Sequence, residues 1–169
     1  MNFPYLTHRF FKKRIISMEN TLEKELFRHC AQLRVRTWEV DWQGVVHNSY
    51  YLRYMEIGRI EYRRRYGYDL SPDGTFNDGL KVFVVHNSVD YRSIAVLDDL
   101  LDVYTRVSWI KNSSFCFEHY IERHATKEVL ATGKGIIVNV NPLTNLPEAL
   151  PEKFVKEIID FEPNCVLIR

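Results

Sequence analysis

The spacing of hydrophobic residues predicts one long helix in the first half of the chain. Within residues 49–66, apolar side chains recur at intervals of three and four, which places them on one side of a helix. These side chains belong to Tyr51, Met55, Gly58 and Tyr62. No proline interrupts the segment, Asn48 and Ser49 are good N-terminal caps, and Gly67 is a suitable end. The arginines at 63–65 are expected to mark where the helix emerges into solvent.

Strand-like patterns lie on both sides of this helix. Before it, residues 33–40 alternate between two sets of side chains with the two-residue period of a strand. After it, several segments rich in β-branched and aromatic residues follow one another, joined by short polar links. These segments are 80–91, 100–110, 115–123 and 128–140. Sequential strands after one helix favour an α+β fold, in which the helix packs on one face of an antiparallel sheet.

The two ends of the chain differ from this central block. Residues 1–17 carry four basic residues and no acid, and an amphipathic helix is predicted from Met18 to Leu26. Because the leader is short and has one serine, a disordered leader or an over-called start codon is favoured over a targeting signal. Pro151 sits where a short C-terminal helix often starts. The predicted segments are a peripheral leader with a short helix (1–30), a central domain (31–153) and a C-terminal helix with a tail (154–169).

Composition places the chain among folded, single-domain proteins. Its 169 residues are 46% hydrophobic and 14% aromatic, which suits a packed core. The formal net charge of +1 gives no argument for nucleic acid as a partner. No apolar run approaches the length of a membrane span, and the three cysteines share no metal-ligand spacing. We expect a cytoplasmic protein with reduced thiols, no metal and no membrane contact.

The loop before the predicted helix carries the candidate chemistry. Asp41 precedes Asn48 by seven residues, with Gly44 between them. The start of a helix presents unpaired N–H groups at the positive end of a dipole, and such groups can polarise a carbonyl oxygen. A carboxylate on the preceding loop is placed to attack that carbonyl or to activate water. Gly44 is expected to adopt a positive φ or to allow close approach of a substrate.

This loop and helix resemble a known enzyme family. The pattern Asp-x-x-Gly-Val-Val-x-Asn-x-x-Tyr from Asp41 to Tyr51, continued to Arg59, is similar to that of the hotdog-fold acyl-CoA thioesterases. Within that family it is most similar to the 4-hydroxybenzoyl-CoA thioesterase branch and its bacterial short-chain acyl-CoA relatives. Later motifs follow in the same order and extend the resemblance over residues 31–153. They are an acidic strand start at 99–105, a late strand at 131–133 and a closing turn at 141–144 with Leu150 and Pro151.

The resemblance implies a hotdog fold, with an antiparallel sheet wrapped around a long central helix, and hydrolysis of a thioester. The family's matching carboxylate is essential, so Asp41 is the expected nucleophile toward the thioester carbonyl or the general base for water. The backbone N–H of Asn48 is the expected donor to the thioester oxygen, while its side chain suits capping as well as catalysis. The predicted substrate-binding residues are Gly44, Val45, Val46, His47 and Tyr51.

Several neighbouring positions depart from the family pattern or add to it. His47 stands where the family usually has an aromatic residue, and we expect it to line the pocket. Glu56 and Arg59, a pair that the family motif also has, could interact along the helix, and the pair is expected to be structural and to hold the helix at a subunit contact. Tyr91 lies at a strand end where the family places a residue of the neighbouring subunit near the site. The tyrosines along the helix are expected to pack in the core.

The sequence leaves the substrate and the reaction class open. Aryl-CoA, short acyl-CoA and acyl groups on acyl carrier protein all fit; coenzyme A is part of the substrate, and no cofactor is expected. A single hotdog domain leaves sheet edges uncovered, and the family joins subunits through their sheets, so a homodimer or homotetramer is expected. A hotdog dehydratase or hydratase, with a histidine against the thioester, and a non-catalytic acyl-thioester binding protein remain alternatives. The chain has no G-x-S-x-G motif, which disfavours a serine thioesterase.

Overall fold

A long helix lies against one sheet, and the computed structural model describes this arrangement for residues 23–168. The predicted leader and most of the helix predicted from Met18 to Leu26 lie outside the described residues, and the described end is a short 3-10 helix at Lys24–Leu26. The strands are β1 (His29–Arg34), β2 (Val82–Tyr91), β3 (Leu100–Ile110), β4 (Ser114–Arg123), β5 (Val129–Asn139) and β6 (Val166–Leu167), and the helices are α1 (Tyr50–Arg64) and α2 (Glu152–Phe161).

The sheet is antiparallel along its main path and ends in an open edge. Its strand order is β1-β3-β4-β5-β2, and β6 adds a short parallel pairing at the end of β3. The three consecutive strands β3, β4 and β5 are joined by short polar links, as the sequence predicts. Strand β2 comes last in the order and pairs with β5 on one side. The predicted α+β architecture is therefore confirmed, and β2 is an edge strand.

Helix α1 packs closely on this sheet because the contact positions are small. A Cβ added at Gly58 would lie 2.4 Å from Thr105 Oγ1, and one added at Gly133 would lie 2.9 Å from Met55 Sδ. Met55 and Tyr62, on the predicted apolar side of the helix, are 1% and 0% exposed. The aromatic stripe of this helix thus belongs to the core, as expected.

The strand predicted for residues 33–40 is wrong beyond Arg34. The strand ends at Arg34, and Thr37–Glu39 form a 3-10 helix. The Glu39 carboxylate accepts the backbone N–H of Arg36 at 2.9 Å and closes this turn. The local hydrogen bond competes with strand pairing, which an alternating pattern cannot reveal.

In the arginine run, Arg64 and Arg65 are exposed as predicted, but Arg63 is 2% exposed and does not enter solvent. Its guanidinium lies 4.3 Å from the ring centre of Tyr68 and 5.3 Å from that of Phe76. It also pairs with Asp78. The side of α1 that carries Arg63 is therefore covered by the segment that leads to β2.

Helix α2 contributes to the same core. Phe154 and Ile158 are 1% and 0% exposed and join the cluster around Tyr62. The division of the chain into leader, domain and tail stays a prediction. Among residues 23–168, no helix is long and apolar enough to cross a membrane.

Candidate active site

A tight hairpin presents Asp41 just before α1. Val40 and Val46 form an antiparallel bridge, and the Asp41 backbone N–H donates to the Val45 carbonyl at 2.9 Å. The Gly44 N–H donates to the Asp41 carbonyl at 3.0 Å. Gly44 has φ +77°, which confirms the positive φ expected from the sequence. Since other residues rarely adopt this conformation, the glycine sets the shape of the loop.

The Asp41 carboxylate is held by one of its oxygens. Oδ1 accepts the backbone N–H of Gln43 at 2.7 Å, an Asx-type turn that orients the group. Oδ2 makes no hydrogen bond within the described part of the chain. The side chain is half-buried. One oxygen therefore fixes the orientation of the carboxylate, and the other is available to a ligand.

Buried polar contacts anchor the hairpin to the rest of the fold. The Val46 N–H donates to the Ala95 carbonyl at 2.8 Å, and the His47 N–H donates to the Glu39 carbonyl at 2.9 Å. The Glu39 side chain is buried and accepts the Tyr54 hydroxyl of α1 at 2.8 Å. Sequence reasoning missed Glu39 as an anchor. Its position three residues after Arg36, the spacing of a capping box, was the available signal.

The start of α1 leaves one backbone donor free. Ser49 is the N-cap residue, but neither predicted capping side chain caps the helix. Instead, the Ser49 N–H donates to His47 Nδ1 at 3.2 Å, and the Tyr50 N–H donates to the His47 carbonyl at 2.9 Å. The N–H of Asn48 meets no acceptor among residues 23–168, and this residue is exposed. A free donor therefore sits at the positive end of the helix dipole.

His47 acts as a local support of this helix start. Nδ1 accepts the Ser49 N–H and lies 2.8 Å from the Ser49 hydroxyl oxygen. In the neutral ring, the proton therefore belongs on Nε2. Its contact with substrate stays a prediction, as do those of Val45 and Val46.

Tyr91, which packs against Tyr51, binds the backbone of Asn48. The Tyr91 hydroxyl donates to the Asn48 carbonyl at 3.0 Å, within the same chain. Its ring meets the Tyr51 ring edge-on, with centroids 5.3 Å apart. Tyr51 is buried, and burial raises its pKa to about 12, so the hydroxyl stays neutral at pH 7. The role of Tyr51 in substrate binding stays a prediction.

A cavity of about 170 Å³ lies toward the C-terminal half of α1. Apolar side chains from the sheet and from the segment before β2 form most of its wall, and α1 supplies the polar groups. Its lining includes Glu56, Arg59, Arg63, Leu80, Val82, Val84, Phe117 and Ile137. None of the predicted site residues lines this cavity. In one chain, the hairpin and the cavity are therefore separate features.

The pair predicted between Glu56 and Arg59 is not formed within the chain. The Glu56 carboxylate accepts Arg53 Nη1 at 3.1 Å at the surface. Arg59 Nη1 is buried without a hydrogen-bond partner from the described residues. Burial lowers the pKa of Arg59 from its ordinary value, and the nearby charge of Glu56 partly opposes this.

The cysteines and possible metal ligands form no shared centre in the described chain. Cys30, Cys116 and Cys165 are free thiols. Within residues 23–168, no group of three or more His, Cys, Asp or Glu side chains is placed to hold a metal ion.

Comparison with known proteins agrees with this architecture. Residues 35–158 match a family model described as the thioesterase-like superfamily. The acyl-CoA thioesterase YbgC of Haemophilus influenzae is 32% identical over 122 residues, which are 72% of this chain and 87% of that protein. The chloroplastic acyl-acyl carrier protein thioesterase ATL3 of Arabidopsis thaliana is 28% identical over 130 residues, 75% of this chain and 67% of that protein.

A solved structure extends the comparison to three dimensions. The thioesterase from Thermus thermophilus, complexed with coenzyme A and Zn, is 30% identical and has a TM-score of 0.65. The similarity covers 78% of this chain and 98% of that one. The match to the family model covers most of this chain, and the sheet and helix have the expected arrangement. The chain therefore belongs to the thioesterase-like superfamily and is a hotdog-fold thioester hydrolase.

Proposed function

We propose that this protein hydrolyses acyl-CoA thioesters to a free acid and coenzyme A. Asp41 acts as the nucleophile or as the general base for water, and the backbone N–H of Asn48 donates to the thioester oxygen. The observation that carries the proposal is a pair of unsatisfied groups on one loop. Asp41 Oδ2 and the Asn48 N–H have no partners among residues 23–168, although their neighbours are hydrogen-bonded.

The helix start explains why this donor matters. Negative charge develops on the thioester oxygen during attack, and a fixed N–H at a helix N-terminus stabilises that charge. One such donor stabilises the transition state by about 3 kcal/mol. The hydrogen bond from Tyr91 to the Asn48 carbonyl limits movement of residue 48, so the donor is oriented before substrate arrives.

Similarity to named relatives supports coenzyme A as the thiol carrier. The acyl-CoA thioesterase of H. influenzae is 32% identical, and the match covers 87% of it. The acyl carrier protein thioesterase of A. thaliana is 28% identical, and the match covers 67% of it. Acyl carrier protein is therefore the second candidate. The dehydratase alternative requires a histidine side chain against the thioester, and the described hydrogen bonds of His47 Nδ1 are with Ser49 at the helix start.

The open edge of the sheet supports a homodimer. Strand β2 pairs only with β5 in the described chain, and it exposes Phe83, Val84 and Val85 by 45%, 45% and 60%. An uncovered, apolar edge strand is a site of association. We propose that a second copy pairs its own β2 antiparallel to this edge.

Antiparallel pairing would bring the hairpin of one chain to the cavity of its partner. Asn48 contacts Tyr91 at one end of β2, whereas the cavity is lined by Val82 and Val84 at the other end. A two-fold axis near the middle of β2 exchanges these ends. An acyl group held at Asp41 would then point into the partner's cavity. The cavity volume of about 170 Å³ resembles the roughly 150 Å³ cavity that binds benzene, and so favours short acyl or single-ring aryl groups.

The reaction is proposed to take place in the cytoplasm. The free thiols of Cys30, Cys116 and Cys165 support a reducing compartment.

The proposal is tested by thiol release from acyl-CoA, aryl-CoA and acyl carrier protein thioesters, with Asp41→Asn beside the wild type. We expect Asp41→Asn to lower kcat by at least about a hundredfold, since it removes the ionised carboxylate. The matched control is Asp73→Asn, because Asp73 makes a similar turn by accepting the Thr75 N–H at 3.1 Å. That control should keep its rate within about twofold and its melting temperature, as surface changes usually do.

The outcomes separate the alternatives. Wild-type rates in Asp41→Asn would refute the assigned role. Turnover restricted to acyl carrier protein esters would show that acyl carrier protein, and not coenzyme A, is the thiol carrier of the substrate. Binding of coenzyme A esters without turnover by the wild type would indicate a binding protein.

A further inference from the structure

Arg59 is half-buried, and one nitrogen of its guanidinium is left without a partner in a single chain. Its Nη1 atom is shielded from solvent and makes no hydrogen bond within residues 23–168. A buried charge is strongly destabilising unless it is paired. The buried arginine of α1, Arg63, obeys this rule by pairing with Asp78. The partner of Arg59 is therefore expected to come from outside the chain.

The guanidinium of Arg59 is directed toward the open edge of the sheet. A Cβ added at Gly135 would lie 3.4 Å from Arg59 Nη1 and 2.9 Å from Asn87 Oδ1. Gly135 of β5 and Asn87 of β2 are partners in the strand register. Arg59 thus reaches across β5 toward the middle of β2, and β2 is the strand with a free edge.

Glu56 is the complementary group on the same side of α1. It lines the same cavity as Arg59, one helical turn earlier, and its side chain is 46% exposed. Its present partner, Arg53, is 73% exposed. A surface pair of this kind contributes little to stability. Glu56 can therefore exchange this contact for a buried one at low cost.

We propose that, in the dimer, Arg59 of each chain pairs with Glu56 of the other. The interface then contains two equivalent ion pairs related by the two-fold axis. This inference rests on the β2 pairing described under the proposed function.

The positions of helix and strand agree with such an axis. Met55 packs on Gly133, whose register partner on β2 is Val89, and Arg59 lies over Gly135, whose partner is Asn87. Residues 56 and 59 are therefore level with the central part of β2 (Val82–Tyr91) along the strand direction, and both line the cavity on the β2 side of the helix together with Val82 and Val84. A two-fold axis through this region makes both the strands and the helices antiparallel. It sets residue 56 of one helix against residue 59 of the other.

The ion pairs would also fix the register of the joined sheets. A shift of one residue between paired strands turns every side chain to the opposite face. Because Glu56 faces Arg59 of the other chain at one register, the pairs select that register. The same register determines how the Asp41 hairpin meets the cavity of the partner chain.

Charge reversal in separate chains tests this arrangement. Glu56→Arg and Arg59→Glu are measured alone and as an equimolar mixture, using sedimentation to obtain the dimer Kd. Alone, each variant opposes like charges across the axis, and we expect its Kd to rise at least about tenfold. In the mixed dimer, the introduced arginine faces the introduced glutamate, and native Arg59 faces native Glu56. The mixture should therefore recover a Kd close to that of the wild type.

Mixing excludes an explanation within one chain. Each variant still carries two like charges at positions 56 and 59 of its own helix, so only contacts between chains can restore association. Glu61→Arg is the matched control. Glu61 pairs with Arg64, and its charge acts on the pKa of His29 in β1, so it lies away from the β2 edge. Its dimer Kd should stay at the wild-type value.

Several results would overturn the inference. They are a monomeric wild type, single variants that associate normally, or a mixture no tighter than its components. If Arg59→Glu does not fold, Glu56→Gln decides, because an unchanged Kd after loss of this half-exposed carboxylate contradicts the pair. Sedimentation requires no turnover. A restored mixed dimer that hydrolyses no thioester would therefore support the ion pairs while refuting the proposed reaction.

Discussion

The two ends of α1 use polar groups in opposite ways. At the N-terminal end, the Asn48 N–H and Asp41 Oδ2 have no partners in the described chain. At the C-terminal end, the charge of Arg63 is met within the chain by Asp78 and by the face of the Tyr68 ring. Asn48 is exposed and Asp41 is half-buried, so both open groups are accessible to a ligand, whereas Arg63 is buried and is paired within the chain. One end of the helix therefore stabilises the fold, and the other is prepared for chemistry.

The largest expected effect comes from removing the buried ion pair at the C-terminal end of α1. Arg63→Met leaves Asp78 without its cation in a largely buried setting, since the two side chains are 3% and 14% exposed. We expect a loss of about 3 to 5 kcal/mol in the free energy of unfolding, measured by urea titration. Arg64→Met, which removes a surface pair with Glu61, should cost less than about 0.5 kcal/mol. Equal losses in the two variants would show that burial of Arg63 is unimportant.

The role of the Asn48 backbone N–H, at the N-terminal end of α1, is tested by removing this donor without removing a charge. Asn48→Pro deletes the backbone N–H, whereas Asn48→Ala keeps it and deletes the side chain. We expect Asn48→Pro to lower kcat by roughly a hundredfold to a thousandfold. Asn48→Ala should lower kcat by less than about fivefold, since an ordinary side-chain hydrogen bond contributes about 1 kcal/mol. Steady-state thiol release measures both, and similar losses would contradict a backbone donor.

Glu162, a buried acid near the C-terminal end of α1, makes the free energy of unfolding depend on pH. Glu162 is 3% exposed, accepts the Tyr62 hydroxyl at 3.0 Å, and has its pKa raised by burial from 4.5 to about 7. Between these values the unfolded chain has lost this proton and the folded chain retains it, so stability falls as pH rises. We expect a decrease of roughly 2 kcal/mol in unfolding free energy from pH 5 to pH 8.

Urea unfolding at both pH values checks this effect. Glu162→Gln removes the titrating group and should flatten the dependence by a similar amount. A wild type that becomes more stable as pH rises, with no change in slope in the variant, would contradict the assignment. The nearby guanidinium groups of Arg106 and Arg28 act in the opposite direction and lower the pKa of Glu162.

The smallest expected effect comes from removing the Tyr91 hydroxyl, which binds the Asn48 carbonyl at the N-terminal end of α1. Tyr91→Phe removes the hydroxyl that donates to the Asn48 carbonyl, and we expect kcat to fall by roughly fivefold. The matched control is Tyr66→Phe, which loses a 3.4 Å contact with the Glu157 carbonyl at the other end of the helix. The control should keep its rate. A wild-type rate in Tyr91→Phe would show that the position of residue 48 is fixed by the hairpin alone.

Sequence reasoning succeeded where a residue's role depends on its neighbours in the chain. The positive φ of Gly44, the boundaries of β3 and the buried side of α1 all agree with the sequence-based predictions. It failed at Glu39, whose carboxylate turns inward to Arg36 and Tyr54. The capping prediction at the helix start also failed, because the N–H groups of Tyr51 and Leu52 donate to the backbone carbonyls of Asn48 and Ser49 and not to a capping side chain.

The sequence by itself determined α1, α2, the strands β2 to β5 and the family, because periodicity, glycine positions and motif order are local properties of the chain. Only the tertiary structure decided which polar groups are satisfied. Arg63 and Arg59 lie four residues apart on one helix, and each has a buried nitrogen without a hydrogen-bond partner in the described chain, yet only Arg63 forms an ion pair there, with Asp78. Their environments depend on what packs opposite each side chain. Segments distant in sequence supply that packing, so no local pattern distinguishes the two arginines.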